Sequence, residues 1–263
     1  MPYRYKMFYY PDDEYYDSPS RAGLQFEEVY FNSLDNTRLW GWFIPAKDIE
    51  DQKQVKGTVI HMHGNAQNMT AHWQFAEWLP LRGYNLFVFD YRGYGRSEGT
   101  PEPKGVFEDC IAALDYLRSR TDIVTDRLFV FGQSMGGMLA IASSAASPTG
   151  IRAVLAEAPV HSYSMSVRYR MPGIQLDLDD SYCAGPWVSK LAPVPLMLIH
   201  GTADSVVHHD HSLALYADAG DPKQMVTIED GEHIDAMTRR YGTRYKDMMV
   251  DFFEKSARQN PAG

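Results

Sequence analysis

Ser134 stands between two glycines in Phe131-Gly132-Gln133-Ser134-Met135-Gly136-Gly137, where a β-branched and aromatic run gives way to a small-residue stretch. A serine at such a strand-to-helix bend is forced out of the sheet, and the glycines remove side chains that would collide. Its hydroxyl is a poor nucleophile at neutral pH, so acyl transfer needs a histidine base and a carboxylate that fixes the imidazole tautomer and stabilises its cation. The chain carries both in the order serine, acid, histidine: Asp204 in Gly201-Thr202-Ala203-Asp204 and His233 in Gly231-Glu232-His233-Ile234. Glu157, in Glu157-Ala158-Pro159, is a rival acid, and Asp204 also suits a turn residue capping the helix near His208. A tetrahedral oxyanion needs two backbone N–H donors. Met135 N–H, just after the nucleophile, is one; Asn65 N–H, in the glycine-bearing loop His63-Gly64-Asn65-Ala66-Gln67-Asn68, is expected to be the other.

Elements of two periods must position these groups. Residues 26–31 and 38–44 read as extended runs joined by Ser33-Leu34-Asp35-Asn36-Thr37, a hairpin. Short apolar strands follow at 57–61, 85–89, 128–131, 153–156, 196–200 and 225–228. Between them lie helical patterns through about residue 81, from Pro103 to about 118, and from 136 to 146. Such alternation implies a mostly parallel sheet with helices on both faces, because each parallel pair needs a crossover. Function in such sheets sits beyond the carboxyl ends of the strands, the location predicted for Ser134, Asp204 and His233.

Two stretches lie outside this core. Residues 1–25 are tyrosine-rich and broken by Pro11 and Pro19, which predicts an irregular arm packed against the domain by its aromatics. Residues 159–193 exceed what the sheet needs and predict a small cap over Ser134, with Tyr163, Met165 and Tyr169 lining an adaptable apolar acyl pocket. A cap this short implies an open site and small to medium acyl chains.

Bulk properties exclude several classes. The chain has 263 residues, 44% hydrophobic and 22% charged, which suits one globular domain. Net charge is −9 with basic residues scattered, which argues against a nucleic-acid partner. Cys110 and Cys183 are too few for a disulfide framework and read as buried thiols. No window approaches the roughly 18 apolar residues of a membrane span, and Met1 to Tyr16 does not read as a leader, so a cytoplasmic location is expected. No metal site is expected. His208, His209, Asp210 and His211 read as a solvated helix start, His61 and His63 point to opposite faces of a strand, and Asp177, Asp179 and Asp180 read as a solvated turn. Asp90 and Arg92 read as a loop-bracing pair, and His63 as structural to the oxyanion loop.

Together His63-Gly64-Asn65-Ala66, Asp90-Tyr91-Arg92-Gly93-Tyr94-Gly95-Arg96-Ser97, Gly132-Gln133-Ser134-Met135-Gly136-Gly137, Gly201-Thr202-Ala203-Asp204 and Gly231-Glu232-His233 resemble the serine α/β-hydrolase superfamily. The resemblance covers nearly the whole chain and is strongest to the small abhydrolase-domain branch, in which Asn follows the His-Gly of the oxyanion loop. It implies the α/β-hydrolase fold with an eight-stranded sheet, and hydrolysis of esters or thioesters without a cofactor. Some relatives remove fatty acyl groups from proteins, but this chain lacks their cysteine cluster or apolar segment for membrane attachment. The expected activity is therefore cleavage of a small-molecule carboxylic ester through an acyl-enzyme. Thioesterase and peptidase chemistry on the same triad, and a non-catalytic binding protein on this scaffold, are the alternatives.

Overall fold

The computed structural model describes residues 3–258. Of the predicted arm, residues 1 and 2 and the Tyr3 side chain lie outside the description. The strands are β1 (Tyr10–Pro11), β2 (Glu27–Asn32), β3 (Arg38–Ile44), β4 (Thr58–Met62), β5 (Ala66–Gln67), β6 (Asn85–Asp90), β7 (Leu128–Gln133), β8 (Ile151–Glu157), β9 (Leu196–Gly201) and β10 (Lys223–Ile228). The α-helices are α1 (Met69–His72), α2 (Pro103–Ser119), α3 (Met135–Ala146), α4 (Tyr163–Arg170), α5 (Gly185–Val188), α6 (Asp210–Asp218) and α7 (Arg244–Arg258).

Eight strands form one sheet in the order β10-β9-β8-β7-β4-β6-β3-β2. Only the β2–β3 and β3–β6 pairs are antiparallel; β4, β6, β7, β8, β9 and β10 run parallel. The central strands are buried throughout, which is why they read as unbroken apolar runs such as Leu86-Phe87-Val88-Phe89. Apolar side chains from the two sheet faces make two separate cores. One packs against α2 and α3 through Val106, Leu114, Leu139 and Ile141, the other against α7 through Tyr245, Met249 and Phe253. Helix α2 starts as its sequence predicts, with Pro103 in the first turn and the Glu102 side chain accepting from Gly105 N–H at 2.7 Å. Among the described residues no helix is long and apolar enough to cross a membrane.

The stretch read as one helix up to about residue 81 is instead a chain of short turns. After α1 the 3-10 segments Trp73–Phe75 and Pro80–Arg82 follow. Ala76 N–H bonds Trp73 O, Leu79 N–H bonds Ala76 O and Arg82 N–H bonds Leu79 O. Trp73, Ala76 and Leu79 recur at intervals of three and are fully buried, so the three-residue repeat of the apolar face selects the tighter helix.

The arm is ordered against the body. Tyr5, Phe8 and Tyr9 surround Tyr163 of α4, with ring centroids 5.6, 4.7 and 6.3 Å away. Its β1 adds a two-residue parallel pair to β5, immediately beside Asn65.

Candidate active site

Strand β7 delivers Ser134 at φ 56° and ψ −119°, a conformation a non-glycine residue holds only under constraint. The constraint is packing: a Cβ at Gly132 would meet Gly136 O, and one at Gly136 would meet Met62 O. The bend is pinned further by Ser134 N–H bonding Glu157 O at 2.9 Å. α3 then begins at Met135, whose N–H, in the first turn of a helix, has no intrahelical acceptor.

Asn65 follows β4. Its carbonyl accepts from Tyr10 N–H and from the Tyr94 hydroxyl, both at 2.8 Å, and its side-chain amide donates to Phe8 O at 2.8 Å. These bonds fix the peptide from both sides. Neither Asn65 N–H nor Met135 N–H is taken by another acceptor among the described residues. Both residues line, with Ser134, one small cavity of about 30 Å³. That places two unengaged donors beside the serine, as an oxyanion requires.

Asp204 lies beyond β9, and each of its carboxylate oxygens has its own function. Oδ1 accepts from Val206 N–H at 2.8 Å and Val207 N–H at 2.9 Å, which is the turn-bracing role. Oδ2 is 2.6 Å from His233 Nδ1 and 3.1 Å from His200 Nε2. Burial alone would raise the Asp204 pKa, but the bonds from His200 and His233 outweigh it and hold the carboxyl well below its ordinary range. A charged Asp204 makes His233 carry its proton on Nδ1, leaving Nε2 to act as a base. In this resting structure Ser134 and His233 share no hydrogen bond among the described residues, a gap that substrate binding commonly closes.

Glu157 ends β8 but does not reach His233. Its Oε2 accepts from Gln133 Nε2 at 2.7 Å and its Oε1 from Ala236 N–H at 2.8 Å. Burial pushes its pKa up to about 7, against the lowering effect of those two bonds. Gln133 Oε1 in turn lies 3.0 Å from His61 Nε2, and burial drives the His61 pKa down to about 3. Glu157 is thus a brace between the strand that carries Ser134 and the loop that carries His233.

The chain was compared with known proteins. Residues 53–176 match the family model described as serine aminopeptidase, S33. The chain is 43% identical over 246 residues to the uncharacterized protein YfhR of Escherichia coli (strain K12), covering 93% of this chain and 85% of that one. It is 32% identical over 226 residues to alpha/beta hydrolase domain-containing protein 17C of Xenopus laevis, covering 82% of this chain and 69% of that one. The chain belongs to the alpha/beta hydrolase family. Among solved structures, the Pyrococcus furiosus esterase Pf2001 superposes with a TM-score of 0.76 at 20% identity, covering 94% of this chain and 98% of that one, a likeness of fold.

Not every residue singled out in this alpha/beta hydrolase lies where its sequence suggests. Tyr163 lines the Ser134 cavity, with its hydroxyl bonded to that of Tyr9, but Met165 and Tyr169 do not line it. Tyr169 is exposed, stacks on His208 at 4.5 Å and bonds Asp210. The segment that carries these residues is the helix α4. Helical spacing brings Tyr163, Ser166 and Arg170 to the cavity and turns Met165 and Tyr169 away. Asp90 and Arg92 are not partners of each other. Asp90 accepts from Met69 N–H at 2.7 Å and lies 3.2 Å from His63 Nε2, whereas Arg92 pairs with Asp109 at 2.8 Å and Asp35 at 2.9 Å.

Two participants gave no sequence signal. His200 reads as part of an apolar strand, yet its Nε2 reaches Asp204 and its Nδ1 lies 2.7 Å from Ser212 Oγ. Phe8 belongs to the arm and still forms a wall of the Ser134 cavity. A larger hollow of about 390 Å³ lies on the other side of α4, against Val167, Ile174 and Leu176, and does not include Ser134. Among the described residues no group of three or more His, Cys, Asp or Glu side chains is arranged to hold a metal ion.

Proposed function

We propose that the protein hydrolyses carboxylic esters of short acyl chains through an acyl-enzyme on Ser134. The observation that carries this reading is the convergence of Ser134 with the free amides of Asn65 and Met135 on one cavity, beside an Asp204–His233 pair at 2.6 Å. In the proposed cycle His233 Nε2 removes the Ser134 hydroxyl proton as Oγ adds to the ester carbonyl. The two amides hold the oxyanion, and His233 returns the proton to the departing alcohol. Water then repeats the sequence on the acyl-enzyme and releases the acid. Asp204 keeps the imidazole in the required tautomer and stabilises its cation.

The volume beside Ser134 supports a short acyl group. About 30 Å³ is far below the several hundred typical of sites for drug-sized ligands, and Phe8, Met138 and Tyr163 close its walls. The test is a 4-nitrophenyl ester series from acetate to palmitate, run beside Ser134→Ala. Turnover is expected to peak at the short end and to vanish in the variant. Rates that climb steadily toward palmitate contradict the acyl-size assignment, and turnover retained in Ser134→Ala contradicts the nucleophile.

A further inference from the structure

The Ser134 cavity has mixed walls, with Phe8, Met138, Val160 and Val207 beside Ser166 and one cation. Arg170, in the last turn of α4, lines it together with Ser134. Among the described residues this guanidinium has no carboxylate partner. The one hydrogen bond it makes is Nη2 to Val206 O, at 3.3 Å. Most other arginines in the chain are paired, including Arg82 with Asp247, Arg92 with Asp109 and Arg120 with Asp122. Asp210, which accepts from the adjacent Tyr169 hydroxyl, lies 3.3 Å from His208 Nδ1. Nor does Arg170 act as a cap for its own helix, since its bond goes to the loop after Asp204 rather than to an α4 carbonyl. In a chain of net charge −9, an unpaired guanidinium facing a nucleophile is placed to meet an anion brought by the ligand.

The side of the ester that carries this anion follows from the lining. The departing alcohol must lie where His233 can protonate it, and His233 is not among the residues lining this cavity. The cavity therefore takes the acyl part, with its carbonyl at Asn65 and Met135 and its far end toward Arg170.

We propose that Arg170 selects esters whose short acyl group ends in a carboxylate, that is, half-esters of small dicarboxylic acids. This inference rests on the hydrolase reading above. Attack by Ser134 releases the alcohol and leaves a carboxyacyl-enzyme, and water then frees the dicarboxylate and restores the serine. The terminal carboxylate takes no part in bond making. Its contact with Arg170 is made in the bound substrate as well as the transition state, so its loss should appear mainly in KM.

The test compares monobenzyl succinate with its neutral isostere benzyl 4-methylpentanoate, two esters of one leaving group, by release of benzyl alcohol. The wild-type protein should favour the anionic ester by about tenfold or more in kcat/KM, the scale of one charge-assisted contact. Arg170→Gln should abolish that preference through KM, while Arg170→Lys restores part of it. Arg168→Gln, which removes a neighbouring cation on the same helix, should keep the preference. No preference in the wild type, an equal loss on both esters in Arg170→Gln, or the same effect from Arg168→Gln overturns the proposal. Labelling of Ser134 by a fluorophosphonate separates the two failures: a labelled enzyme without the preference refutes only the role of Arg170. An unlabelled, inactive one refutes the hydrolase reading on which it rests.

Discussion

The carboxyl ends of β8 and β9 lie side by side, and each presents a buried acid, yet the two acids are held in opposite states. Asp204 receives two imidazoles and two backbone amides and stays charged well below the ordinary carboxylate range. Glu157 receives one side-chain amide and one backbone amide, too little to offset burial, and its pKa rises to about 7. Both are nearly inaccessible, with Glu157 the more deeply buried of the two. The number and polarity of donors widen that difference. The difference assigns the roles: a carboxylate that must stabilise an imidazolium has to remain ionised, whereas one that ties two elements together can be neutral at physiological pH.

The largest expected contrast is kinetic. Asp204→Asn should lower kcat by about 10³- to 10⁴-fold by favouring the wrong His233 tautomer. Glu157→Gln should lower it by less than about tenfold, because Glu157 touches no reacting group. Measuring kcat of both variants on one short-chain ester decides it; a reversed order would make Glu157 the triad acid. A smaller effect is expected one step out. His200→Gln removes one of the two imidazoles on Asp204 Oδ2 and should cost about tenfold in kcat, the scale of one hydrogen bond to a charged group. It should also raise the lower limb of the pH–kcat/KM profile, which a merely structural role would not move. An unchanged profile would show that His200 does not help keep Asp204 ionised.

The smallest effect is on stability, and its sign differs between the two acids. Glu157 has its folded pKa at about 7, raised from 4.5, so its contribution is complete below about 4.5 and is lost as pH rises through about 7. The amplitude is about 3 kcal/mol at most for that shift. Asp204, held below its ordinary 3.8, contributes above that value and loses its contribution as pH falls. Chemical denaturation across this range should show wild-type stability declining relative to Glu157→Gln between about pH 4.5 and 7. A pH-independent difference between the two proteins would mean that Glu157 ionises normally in the folded state.

The same contrast explains what could be read from residues alone. The placement of Ser134 and Asp204 was legible because each lies past a short strand buried along its length, which declares itself as an unbroken apolar run, whereas His233 follows the half-exposed edge strand β10. The choice between Asp204 and Glu157 was not, because both follow such strands and the donors that distinguish them come from elsewhere in the chain. His200 was hidden for the opposite reason, a polar residue inside an apolar strand whose partners Ser212 and Asp204 appear only on folding. The arm was legible as aromatic packing, but its pairing beside Asn65 is made by backbone atoms, which leave no local signature. In the cap the composition pointed to Tyr163, Met165 and Tyr169, whereas the helix brings Tyr163, Ser166 and Arg170 to the Ser134 cavity.

The central claim is that Ser134 becomes covalently acylated. The direct measurement is rapid quenching of the protein with a short-chain 4-nitrophenyl ester, followed by intact mass and peptide mapping. The acyl mass should appear on Ser134 of the wild type and be absent from Ser134→Ala. An adduct mapped to another residue, or ester turnover with no adduct at any quench time and no labelling of Ser134 by a fluorophosphonate, would contradict it.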